Sequence, residues 1–360
     1  MTIAGKSSGS TGSNGAILAV LVSSILFGAS TPLARALVGA MDPLWLAGAL
    51  YAGSGAGLSL WLVVRRRRDT AAPPLIIRAH VPWLAAAIVC GGILAPVAFA
   101  FGLRAATGAT ASLLLNLESV FTVALAWFLF GEHRNPRVVV GMTLIVIACA
   151  LLGGDDSPTT ATWQGAGLIA VACLLWAIDN NLTRKVAAND AVAIAAAKGV
   201  AGGAVNLTLA MVIAGAPPAA SPLVATAAVG LAGYGISLVL FVVGMRGLGV
   251  ARASSYYALA PFIGVAVAFV ALGEAAPPAF LPALALMSAG VWLHLTERHV
   301  HEHTHAPLAH SHPHMHDEHH RHAHDFAWDG TEPHVHPHTH APIRHRHAHF
   351  PDLHHDDHAH

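Results

Sequence analysis

Apolar blocks of about 20 residues recur along the first 298 positions, each near the length that crosses roughly 30 Å of hydrocarbon as a helix. Ten such blocks are legible: 15–37, 44–64, 81–103, 107–130, 137–153, 163–185, 191–214, 223–244, 250–272 and 278–296. Turn chemistry or charge separates them, as at Met41-Asp42-Pro43, Arg65 to Arg68, Asn135-Pro136, Asp155 to Pro158, Pro217-Pro218 and Pro277-Pro278. The pattern predicts an all-α polytopic membrane protein. Residues 1–14 are a polar lead with one cation, Lys6. The block after it is full spanning length and carries Pro32 and Arg35 near its end, so it reads as a retained first helix rather than a cleaved signal.

Within this pattern one segment is written twice. Residues 102–132 and 244–274 align with 11 of 31 positions identical. Gly102 meets Gly244, Arg104 meets Arg246, Ser112 meets Ser254, and Gly131-Glu132 meets Gly273-Glu274. A weaker match aligns Phe27 to Arg35 with Trp176 to Arg184. Five blocks separate equivalents, an odd number, so the two halves must cross the membrane in opposite senses. Inverted repeats of this kind are a signature of secondary transporters.

Composition agrees with the pattern. The chain is 55% hydrophobic and only 11% charged, against about 25% charged residues in soluble domains. Cys90, Cys149 and Cys173 fall inside apolar blocks with no CxxC spacing and read as packed thiols. No Walker loop, nucleophile elbow or dinucleotide fingerprint is present, so an enzyme is not expected. With the amino terminus in the cytoplasm, Arg65 to Arg68, Arg78, Arg134, Arg137, Arg184, Lys185, Arg246, Arg252 and Arg298 all fall on the cytoplasmic side. Only Arg35 and Arg104 fall outside. This positive-inside bias predicts a plasma (inner) membrane protein with both termini cytoplasmic.

Ten helices as two inverted sets of five, each fourth helix ending in Gly-Glu, resemble the drug/metabolite transporter superfamily, EamA type. The resemblance covers residues 15–298. It implies a first repeat over 15–153, a second over 163–298, and alternating access between them. It also implies a small-solute cargo of metabolite or drug type, commonly coupled to protons or exchange. It leaves substrate and direction open; export is the expectation.

Ionisable groups within a span cost about 2.5–3.5 kcal/mol on insertion scales and so are candidates for function. Glu118 lies mid-way along its block, near Asn116; its repeat partner is Ala260, followed by the helix-breaking Pro261. A buried Glu118 could exchange protons. Asp179 and Asn180 sit near the cytoplasmic end of the sixth block, and Lys198 lies about two turns into the seventh, at similar depth, so an Asp179–Lys198 ion pair is expected. Asn206, Tyr256 and Tyr257 could line a cavity. Ordinary packing or an interhelical tie is the competing reading at each of these positions. Glu132 and Glu274 read as loop anchors.

The last segment, 299–360, holds 23 of the 26 histidines, most alternating with other residues. It has too little apolar surface for a core and is expected to be structureless. Neutral imidazole suits Zn, Ni, Co and Cu, and His-x-His spacing lets several rings converge. The candidate ligands are His301, His303, His305, His310, His312, His314, His316, His334, His336, His338 and His340. The H-E-x-x-H match at 301–305 is what such alternation produces without a cleft, so a zinc protease is not expected.

The expected function is therefore small-solute transport with a metal-binding cytoplasmic tail. Transition-metal efflux is the alternative, and a metal sensor without transport a weaker third. No cofactor is required by this reading; tail-bound Zn, Ni, Co or Cu are the metals that could bind. The expected partners are a small-molecule substrate, the lipid bilayer and transition-metal ions, with a homodimer left open and no nucleic acid.

Overall fold

The computed structural model describes residues 9–68, 76–130, 136–153, 160–186, 189–248, 250–276, 278–296, 299–305, 309–314, 334–339 and 343–349. It divides into a helical unit and a separate carboxy-terminal unit.

The protein is a multi-pass membrane protein. Seven helices among the described residues are long and apolar enough to cross a bilayer, and shorter apolar helices cover Pro136–Leu152, Ala260–Leu272 and Phe280–Leu293. Large apolar side chains point outward, among them Val270 at 88% exposure and Val212 at 77%, the reverse of a water-soluble surface. Buried Phe99, Leu46, Leu50, Ile145 and Met287 fill the interior.

The first two helices, α1 (Gly9–Leu37) and α2 (Pro43–Arg68), are continuous. The third predicted block is not one α-helix. It runs as α3 (Val81–Ala87), a π-helical segment (Ile88–Leu94) and α4 (Ala95–Leu103). Pro96, which lacks an N–H to donate into the preceding turn, stands just after the widened segment. The fourth block is also divided, into α5 (Gly108–Leu114) and α6 (Leu117–Phe130). Next come α7 (Pro136–Gly153), α8 (Thr160–Arg184) and α9 (Ala191–Leu209), the last ending in a π segment, Ala210–Ala214.

The second half repeats the distortions of the first. α10 (Ala220–Gly230) leads into a π segment, Leu231–Ile236, and then α11 (Ser237–Leu248). This segment falls opposite Ile88–Leu94 at the offset that pairs Gly102 with Gly244. α12 (Val250–Tyr257) and α13 (Ala260–Leu272) are broken at Ala258-Leu259, within one residue of the position equivalent to the break at Leu115-Asn116. Pro261 opens α13, where its missing N–H costs no helical bond. α14 (Phe280–Leu295) closes the unit.

Packing interleaves the two halves. α2 lies along α9, α7 along α14, α1 against α11 and α13, and α4 and α6 against α8. Exchanging the halves maps this set of neighbours onto itself. Small residues allow the close approach: a Cβ on Gly199 would lie 2.6 Å from the Gly55 Cα across the α2–α9 seam.

In the carboxy-terminal unit, β1 (His299–His305) pairs antiparallel with β4 (Ile343–His349), and β2 (Ala309–His314) with β3 (His334–Thr339). These segments depart from the expected structureless chain. Their period-two alternation suits an extended backbone, and antiparallel pairing satisfies its hydrogen bonds. The register sets His301 opposite His347, His303 opposite His345, His310 opposite His338 and His312 opposite His336. His305 is opposite Ile343, and His314 is opposite His334. His316 and His340 lie outside the described residues, as do Glu132 and most of the amino-terminal lead.

Candidate functional site

α8 organises the polar interior, because residues four apart share a helix face. One face carries Asp179 and Thr183. Lys198 of α9 donates from Nζ to Asp179 Oδ1 at 2.6 Å and to Thr183 Oγ1 at 2.8 Å, while Thr183 donates to the same carboxylate oxygen at 3.1 Å. The predicted Asp179–Lys198 pair is thus formed, and Asp179 is buried. The adjacent face carries Trp176 and Asn180. Asn180 donates from Nδ2 to Glu118 Oε1 at 2.8 Å.

Glu118 owes its position to the break in the fourth span. With Leu115 and Asn116 out of the helix, α6 starts one residue before Glu118. Asn116 itself turns back to donate to the Leu113 carbonyl at 3.0 Å, and Ser119 donates to the Asn116 carbonyl at 2.8 Å. Asn116 therefore stabilises the break rather than joining Glu118. Glu118 is half-buried and Asn180 exposed, so the pair borders accessible space rather than packed core. The ionised side chains that act on Glu118 are Asp179 and Lys198.

The π segment at 88–94 frees carbonyls toward the same region. Tyr51 donates its hydroxyl to the Gly91 carbonyl at 2.6 Å, and Trp176 Nε1 donates to that carbonyl at 3.1 Å and to Tyr51 Oη at 3.2 Å. Asn206 donates to the Gly92 carbonyl at 3.2 Å, and its own Oδ1 is buried without a partner among the described residues. Asn206 is fully buried, so it ties α9 to the widened helix rather than lining an open space. Gly91 packs directly on the Asp179 carboxylate, where a Cβ would collide.

Aromatic rings continue from this point across both halves. Tyr51 meets Tyr234 at 5.8 Å between centroids, Tyr234 meets Phe27 edge-on at 5.9 Å, and Phe27 meets Tyr257 at 5.5 Å. Each of these rings is half-buried. The two tyrosines proposed together separate: Tyr257 joins this wall, whereas Tyr256 contributes its backbone carbonyl, which accepts from Ser24 Oγ at 3.2 Å. Sequence reasoning missed Tyr51, Trp176, Tyr234 and Phe27, whose convergence depends on interleaved packing; Gly91-Gly92 ahead of Pro96 was the one local signal.

At one end of the bundle, Glu274 accepts from the backbone N–H groups of Gly108 and Ala109, and Arg35 Nε donates to the Ala106 carbonyl at 2.6 Å. Glu274 is thereby the loop anchor expected. At another, Arg65 pairs with Asp190 at 2.7 Å, and Asn189 bonds His80 and the Ile77 backbone.

Similarity searches extend these observations. The chain is 25% identical over 276 residues to an uncharacterized transporter of Methanothermobacter thermautotrophicus, covering 71% of this chain and 79% of that protein. It is 28% identical over 253 residues to a probable terminal-alkyne amino-acid exporter of Streptantibioticus cattleyicolor, covering 68% of this chain and 84% of that protein. One crystal structure shares the fold with a TM-score of 0.55 at 23% identity, covering 79% of this chain and 96% of that one. Residues 14–154, the predicted first repeat, match the EamA-like transporter family, and the similarity to transporters supports small-solute transport by this chain.

Proposed function

We propose that the protein is a ten-span secondary exporter that moves a small solute by alternating access between two inverted five-helix repeats. The observation that carries this reading is the recurrence, at the repeat offset, of both the π segment and the mid-span break, with Glu118 at one break. Discontinuous helices at corresponding places in two halves are where transporters build their sites. Glu118 and Asn180 contact the solute and handle the coupling proton, and Tyr257 lines its path. The Asp179–Lys198 pair closes the inner end. Arg65, Arg78 and Lys185 flank that end, which supports cytoplasmic termini and inner-membrane insertion.

The tail binds Zn, Ni, Co or Cu on the cytoplasmic side. Metal as cargo draws support from the histidines of the tail alone. The test uses full-length protein in proteoliposomes under an imposed pH gradient, alongside Glu118→Gln and a chain stopped after Arg298. Gradient-driven flux of at least one compound from a panel of amines and amino acids, abolished by Glu118→Gln, is expected, with flux intact but metal retention lost in the shortened chain. A Glu118→Gln protein that transports like wild type at every pH overturns the coupling role.

A further inference from the structure

The interior wall has a composition that narrows the solute. Phe27, Tyr51, Trp176, Tyr234 and Tyr257 form a run of rings linked by centroid separations of 5.5–5.9 Å and by the Trp176–Tyr51 hydrogen bond at 3.2 Å. Trp176 stands one turn from Asn180, which holds Glu118, so the carboxylate lies beside this wall.

Charge decides what such a wall takes. Lys198 is committed to Asp179 and Thr183, so that pair is neutral as a unit. Among the described residues, the side-chain hydrogen-bond partner of Glu118 is a neutral amide, that of Asn180. The region therefore carries one uncompensated negative charge when Glu118 is ionised. Aromatic faces present negative potential to a cation, an attraction that strengthens when water is excluded. A free carboxylate on the solute would meet no unpaired cation among the described side chains around Glu118.

We propose that the site takes an organic monocation, an ammonium-bearing solute without a carboxylate, with its nitrogen at Glu118 and its apolar body against the Tyr51–Tyr234–Phe27 rings. This rests on the transport reading above but is separable from it. Binding of 2-phenylethylammonium, phenylalanine, 3-phenylpropionate and 2-phenylethanol to the full-length protein in nanodiscs is measured by calorimetry, with flux of the same compounds in proteoliposomes. 2-Phenylethylammonium is expected to bind at least about ten-fold more tightly than the other three, and Tyr234→Leu to weaken it by about three- to ten-fold while Tyr234→Phe, which keeps the ring, does not. Glu118→Gln is expected to abolish the preference for the ammonium. Phenylalanine binding as tightly as the amine, or Tyr234→Leu leaving the amine unaffected, overturns the monocation assignment even where flux persists. Loss of flux with the binding order intact instead strikes the transport reading alone.

Discussion

Glu274, at the end of the second half, caps a helix of the first: its carboxylate accepts from Gly108 N–H at 2.8 Å and Ala109 N–H at 3.0 Å, where α5 begins. The Gly-Glu pair makes this geometry. Gly273 takes φ +65°, open to glycine at little cost, which ends α13 and turns Glu274 toward its neighbour. The negative side chain also meets the positive end of the helix dipole. Glu274→Ala should cost about 0.5–2 kcal/mol, the range for a lost helix cap, read as a fall in the thermal unfolding temperature of the purified protein. Glu274→Gln, which keeps an acceptor oxygen, should fall less. Equal losses for both would show that the charge, not the cap, matters.

The Asp179–Lys198 pair gives a sharper contrast. Asp179→Asn leaves a buried ammonium without its counter-charge and should destabilise by about 3–5 kcal/mol. Removing both charges together, as Asp179→Asn with Lys198→Met, should recover most of that loss. Thermal stability of Asp179→Asn and the double variant in one detergent checks this; a double variant no better than Asp179→Asn would mean that the pair is not the interaction being lost.

Gly91→Ala tests the close approach of the π segment to α8. A Cβ there collides with the Asp179 carboxylate, with no room unless α8 shifts. The variant should lose at least about 1–3 kcal/mol, the usual cost of overpacking, and should disturb the Tyr51 and Trp176 bonds to the Gly91 carbonyl. Trp fluorescence in the folded protein reads the second effect. An unchanged spectrum at wild-type stability would refute the packing.

Asp190 sits outside the membrane spans, at the start of α9. Partial burial pushes its carboxyl up, but the Ala193 N–H and the Arg65 guanidinium outweigh this and hold it below the usual carboxylate value. A depressed native value means that the contribution is full above the unfolded carboxylate range near 4 and fades as pH falls through the lower native value. The site is partly exposed, so the effect should be small, about 1 kcal/mol or less. Asp190→Asn should narrow its stability deficit relative to wild type as pH drops from 6 to 3. A constant deficit over that range would contradict the assignment.

The sequence by itself determined the apolar stretches of a multi-pass membrane protein, because burial in hydrocarbon demands runs of apolar residues, and it exposed the duplicated 102–132 and 244–274 segments. It also placed Asp179 and Lys198 at one depth, since rise per residue is fixed within a helix. Pro96 and Pro261 could have located the distortions near them, but their consequences are tertiary: which freed carbonyls find Tyr51, Trp176 or Asn206 depends on helices far apart in the chain. The same holds for Asn116, which reads as a site residue by proximity to Glu118 and whose amide donates to the Leu113 carbonyl at the helix break. The wall of Phe27, Tyr51, Tyr234 and Tyr257 was decided only by interleaving the two halves, because each ring comes from a different span and no periodicity within one helix encodes its neighbours on another.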